Sequence, residues 1–209
     1  MTKESLDPKR TCLLFFDCTN VFVNGSSLDP AGRSPDVAAA VSNWERQLAL
    51  ARELDMMVAY ACAVNREDRA DAYDRLTDID FRGNPVPSGE RLQGTGLAYG
   101  SQAVQVIDDI APRPDDYVFW KRRWSPFFQT HFELSLRARG VETIIVNGGS
   151  IEVGLAATAY AMQTLDFDMV IVPDGCTSNR ANCREAFMTV VFPLIGRVRS
   201  TNQIGRAHV

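Results

Sequence analysis

The stretch from Ile144 to Thr158 reads Ile-Ile-Val-Asn-Gly-Gly-Ser-Ile-Glu-Val-Gly-Leu-Ala-Ala-Thr. Together with Thr143 its first residues form a short β-branched apolar run, the composition of a strand covered on both faces. Gly148-Gly149-Ser150 ends that run. Small and apolar residues then continue from Ile151 to Leu165 and predict a helix. A strand, a glycine-rich turn and a helix in this order make half of a βαβ unit. The alternation repeats outward in both directions. Cys12 to Phe16 is a second buried strand, ending at Asp17. Asp36 to Leu54 carries Val37, Ala40, Val41, Trp44, Leu48 and Ala51 at helical spacing, after a start signal at Ser34 or Asp36. Met56 to Val64 and Tyr117 to Trp120 are further strands, the latter ending at Lys121. His131 to Arg139 is a helix with Gly140 as its cap. Met169 to Val172 is a strand, Asn182 to Val191 a helix, and Gly196 to Arg199 a last edge strand. Strands alternating with helices imply right-handed crossovers. The expected fold class is therefore α/β: three layers, α/β/α, around a central, mostly parallel, Rossmann-like sheet.

The bulk properties narrow the function classes. A chain of 209 residues suits one domain over 1–209. The net charge of −4, with no basic stripe, speaks against a nucleic-acid partner. No apolar run approaches the length of a membrane span, and the polar start from Met1 to Arg10 is unlike a secretory signal. The five cysteines include no C-x-x-C pair and read as reduced thiols of a cytoplasmic protein. Two histidines are too few for a histidine-rich metal site, so no metal is expected. No cofactor is expected either: there is no phosphate-binding glycine motif, and Gly94-Thr95-Gly96 is too short to be one. Asn65 to Pro114 is polar, rich in Arg, Asp and Gly, and has little periodicity. Such a segment serves as a functional loop or lid, as a subunit contact, or as both. The tail from Gly205 to Val209 reads as frayed.

In parallel sheets ligands bind outside the carboxyl ends of the strands. Asp17, Lys121 and the turn Gly148-Gly149-Ser150 all follow predicted strands and converge at one edge. Phe22, Trp124, Phe127 and Phe128 could wall a pocket or pack inward. Arg122 is the best placed of several arginines (Arg66, Arg69, Arg82, Arg91 and Arg123 are others) for a substrate carboxylate.

Three segments, taken together, resemble the isochorismatase-like, or cysteine hydrolase, superfamily between Arg10 and Arg180. They are Leu13 to Phe22, Val118 to Phe127 with its Ser125-Pro126-Phe127 element, and Ile144 to Ala159. Val170 to Ser178 resembles the family's later strand. The resemblance implies an active site of Asp17, Lys121 and a cysteine at the start of a helix. Counting back from Thr158, that cysteine position is Gly154. Glycine has no side chain with which to attack. Cys18 neighbours Asp17, but successive strand side chains point to opposite faces. A glycine here is similar to isochorismatases and phenazine-pathway hydrolases, which cleave a vinyl ether without a covalent intermediate.

The resemblance thus assigns catalysis to Asp17, Lys121 and Gly154, with Asp17 as general acid. The turn would contribute Gly149, Ser150, Ile151 and Glu152 to substrate binding, through a cis peptide and backbone N–H groups. Glu152 stands where those relatives carry a histidine. The resemblance also suggests a homo-oligomer acting on a small, anionic substrate. Two alternatives stay open: an amidohydrolase in which Asp17 activates water, and a non-catalytic binding protein.

Overall fold

The computed structural model describes residues 5–81, 83–93 and 97–206. Arg82, Gly94-Thr95-Gly96 and His208 lie outside the described residues. Six strands form one sheet: β1 (Thr11–Phe16), β2 (Met57–Ala63), β3 (Tyr117–Lys121), β4 (Thr143–Gly148), β5 (Asp168–Cys176) and β6 (Arg197–Val198). Their order is β3-β2-β1-β4-β5-β6, and every pairing is parallel. β1 is central because each of its six residues is buried. Its two faces feed two cores. Cys12, Leu14 and Phe16 enter one, and Leu13 and Phe15 the other.

Among the described residues, seven α-helices accompany the sheet: α1 (Asn20–Val23), α2 (Pro35–Glu53), α3 (Phe132–Ala138), α4 (Ala156–Thr164), α5 (Ala181–Ala186), α6 (Phe192–Ile195) and α7 (Thr201–Arg206). α2 begins where the Ser34 side chain accepts from the Val37 N–H, with Pro35 in the first turn. Its stripe Ala40, Val41, Trp44, Gln47 and Ala51 faces the Leu13–Phe15 core. The Trp44 indole donates to the Gly175 carbonyl, and Gln47 exchanges hydrogen bonds with Asn147. These polar contacts fix the helix against the ends of β4 and β5. α3, α4 and α6 cover the opposite face through Phe132, Leu136, Ala159, Met162 and Phe192.

Two helices differ from the sequence expectation. The segment after Ser150 opens as a wide π-helical turn, Ile151–Leu155, in which the Leu155 N–H reaches back to the Ser150 carbonyl; α-helix begins only at Ala156. The helix expected over 182–191 is α5 followed by a second π-helical turn, Phe187–Val191. Pro193 lies just beyond, and its missing N–H removes a rung of the ordinary helical ladder. The described residues of the long segment between β2 and β3 add no strand to the sheet. Isolated bridges hold it, among them Asn65 with Ala98, Arg75 with Leu92 and Ile79 with Pro85.

Strand order reverses at β1, which has β2 on one side and β4 on the other. That switch point is where a doubly wound sheet opens a crevice. Phe16 pairs with Gly148 there, and Ala63 pairs with Lys121 two strands away. No described helix is long and apolar enough to cross a membrane.

Candidate active site

Asp17 follows the last residue of β1 and takes a left-handed backbone, φ 52°, a conformation Asp tolerates better than most residues. Its N–H donates to the Ala61 carbonyl at 2.8 Å. The turn sends its carboxylate across the end of β2. Oδ1 accepts from the Ala63 N–H at 2.8 Å and Oδ2 from the Lys121 ammonium at 2.8 Å. Asp17 and Lys121 are only 10% and 3% exposed at their side chains. Burial pushes the Asp17 carboxyl above the ordinary carboxylate range, against the opposing pull of Lys121 and the Ala63 N–H. Cys18 turns the other way. Its thiol lies in the Leu13–Phe15 core, donates to the Phe16 carbonyl at 3.7 Å, and is pushed up strongly by burial. It is inert as a nucleophile.

Asp17 and Lys121 form the floor of a cavity of about 700 Å³. Its walls include Phe22, Arg122, Trp124, Gly149, Ser150 and Gly154, all singled out from the sequence. The Gly149–Ser150 peptide is cis. Three other sequence candidates are not in the walls. Phe127 packs inward, its ring 4.8 Å from Phe132 and 5.8 Å from Phe167, and Phe128 faces the cavity in its place. Ile151 is fully buried in the core beside β4. Glu152 accepts from the Ser178 hydroxyl and the Asn179 N–H, so it ties the π-helical turn to the loop after β5. Of the turn's N–H groups, those of Gly149 and Ile151 already donate to the Phe16 and Thr177 carbonyls.

Arg122, the favoured arginine, bonds Asp71 at 2.6 Å and so anchors the long segment over the cavity. Arg66 pairs with Asp68, and Arg69 with Asp74. Arg75, not singled out from the sequence, differs from these. Its guanidinium lines the cavity between the rings of Phe81 and Trp124, at 4.5 Å and 5.3 Å from their centroids. It has no carboxylate or hydrogen-bond acceptor among the described residues. Burial pulls it below the usual arginine range, but guanidinium stays protonated at neutral pH.

Gly154 lies in the π-helical turn, buried. None of the five cysteines lines the cavity, and none occupies this position. The isochorismatase domain family matches residues 11–203. The chain belongs to the isochorismatase family. Its relatives include the uncharacterized isochorismatase family protein YwoC of Bacillus subtilis, 29% identical over 136 residues, or 65% of this chain and 66% of that protein. Another is the uncharacterized isochorismatase family protein YecD of Escherichia coli O157:H7, 38% identical over 84 residues, or 40% of this chain and 45% of that protein. The matched stretches thus fall short of two thirds of either relative. Solved isochorismatase folds superpose over nearly the whole chain. An isochorismatase family protein from Burkholderia thailandensis has a TM-score of 0.78 at 22% identity, covering 97% of both chains. The N-carbamoylsarcosine amidase of Thermoplasma acidophilum has a TM-score of 0.69 at 21% identity, covering 92% of this chain and 97% of that one. At these identities the likeness establishes the isochorismatase fold, and the chemistry has to be argued from the site.

Proposed function

We propose that this chain is a hydrolase that cleaves the vinyl or enol ether of a small carboxylic acid by proton transfer from Asp17, without a covalent intermediate. The observation that carries this is a carboxyl buried at the floor of a cavity whose nucleophile position, Gly154, has no side chain. A vinyl ether suits such a site because it is electron-rich at carbon. Asp17 delivers its proton to that carbon, and an oxocarbenium ion results. Water adds to the cation and gives up a proton, which restores the Asp17 acid; the hemiketal's hydroxyl proton then passes to the ether oxygen as the C–O bond breaks, leaving a ketone and an alcohol. Asp17 has only to hold and deliver a proton, which its burial favours. Lys121 keeps the carboxyl aimed across the end of β2 and stabilises the anionic form left after transfer. Arg75 offers the charge that would hold the substrate's carboxylate.

The pH profile tests the role of Asp17. Burial favours its neutral form, so the acid persists above the ordinary carboxylate range. If that acid donates the proton, kcat/KM falls as pH rises through the raised pKa of the free protein. The amide-cleaving alternative uses the ionised form to activate water and gives the opposite slope, rising through the same pKa. A screen of vinyl ethers against amides, read at both ends of the profile, separates the two chemistries.

Arg75→Ala is expected to lower kcat/KM for a carboxylate substrate about 10- to 100-fold, the size of one charge-assisted contact. The methyl ester of the same substrate should be nearly unaffected. Equal losses on acid and ester would assign Arg75 to holding the loop in place.

A further inference from the structure

The space at Gly154 is filled by a side chain from the next strand. A Cβ built on Gly154 would come within 2.6 Å of both Cε1 and Cζ of Phe16, and 3.5 Å of the Trp124 carbonyl oxygen. The same ring lies 4.3 Å from the Lys121 ammonium. Phe16 has little freedom to withdraw. It is fully buried, pairs with Ala61 on one side and Gly148 on the other, and its carbonyl accepts from the Gly149 N–H. Its ring belongs to the core that also holds Ile151 and Leu155 of the π-helical turn.

We propose that Phe16 is the specificity-determining residue that fixes the reaction class of this site. Its ring takes the volume a side chain at 154 would need and covers the cation that would activate a thiol there. The inference rests on the reading of this cavity as a hydrolytic site without a nucleophile. Glycine at 154 and the ring at 16 are then coupled. Glycine at 154 is required by the ring, and a cysteine restored alone meets a blocked site. A thiol with room beside Lys121 at the start of a helix would instead be a reactive one, since a cation and a helix N-terminus both favour thiolate.

The test is a pair of cycles in a Cys183→Ser background, which removes the one cysteine that is not buried. In the first, Gly154→Ala is made with and without Phe16→Val. Alanine in place of glycine within a helical turn normally raises stability. Here it should lower the melting temperature when Phe16 is present and raise it when position 16 is Val. The same sign in both backgrounds would overturn the proposal.

In the second, Gly154→Cys is made with and without Phe16→Val and treated with iodoacetamide below pH 7. The introduced thiol should be alkylated at least about tenfold faster in the double variant, as peptide mass mapping reads. p-Nitrophenyl acetate is the second probe. The thiolate attacks its carbonyl carbon, the bond to the phenolic oxygen breaks, and p-nitrophenolate leaves behind a thioester visible in the intact mass. That burst is expected in the double variant only. Equal alkylation in the two variants, or a slow thiol in both, would overturn the proposal. None of these readouts needs the natural substrate, so they stand or fall separately from ether hydrolysis.

Discussion

Asp17→Asn is expected to lower kcat/KM by about 100- to 10,000-fold, the usual share of a positioned general acid. Asn keeps the shape of the side chain and can still accept from the Ala63 N–H, but it has no proton to give to carbon. The substitution also has a structural cost. Lys121 is 3% exposed at its side chain and Asp17 is its ion-pair partner. Removing one side of a buried pair costs up to about 3–5 kcal/mol, because the remaining charge is left without compensation. Low activity alone would therefore not distinguish lost chemistry from lost fold. Asp17→Asn with Lys121→Met removes the orphaned ammonium as well. Its urea midpoint should recover most of the loss while turnover stays absent. Wild-type kcat/KM in Asp17→Asn, with its fold intact, would remove Asp17 from the chemistry.

The elements that a local pattern can specify were legible in the sequence. β1 and β2 are nearly continuous apolar runs and β4 is built on the shorter run 144–146, because both faces of their sheet are covered, and α2 shows its buried stripe at helical spacing. Asp17 and Lys121 could be placed because each sits at a strand end, and the resemblance placed Gly154 by its spacing from Thr158. What escaped the sequence depends on how distant segments meet. Phe127 and Phe128 are adjacent and chemically identical, and only the packing of Phe132 and Phe167 decides which one turns inward. Ile151 and Glu152 were assigned to the pocket by the resemblance, as parts of the substrate-binding turn. The π-helical turn rotates one into the core and the other toward Ser178. Arg75 lies in a segment without periodicity, where it resembled several other arginines. Its distinction is that its guanidinium sits between two cavity rings with no hydrogen-bond acceptor among the described residues, which no linear pattern records. Phe16 looked like any strand residue, since its significance is the distance of its ring from position 154.

Gly148→Ala is expected to be the most damaging single substitution to the fold, with a loss above about 4 kcal/mol and little soluble protein. Two penalties coincide there. Gly148 holds φ at +104°, outside the space open to a residue with a Cβ, and the Cβ itself would stand 2.0 Å from the Phe16 carbonyl oxygen and 2.8 Å from its carbonyl carbon. Those are backbone atoms of the central strand, and no rotamer change can relieve them. Gly140 supplies the control. It also has positive φ, +67°, but a Cβ there meets nothing within 4 Å. Gly140→Ala should cost only the left-handed penalty of about 1–2 kcal/mol. The difference between the two urea midpoints then measures the close approach of β4 to β1 rather than the backbone angle. That approach has a function in the proposed chemistry. It seats the Gly149–Ser150 wall beside Asp17, since the Gly149 N–H bonds the same Phe16 carbonyl that the added methyl would strike. Similar losses at both glycines would mean that the strands can part at no great cost. The cavity floor would then owe its geometry to the Asp17–Lys121 pair, and Asp17→Asn should loosen the wall as well as remove the proton.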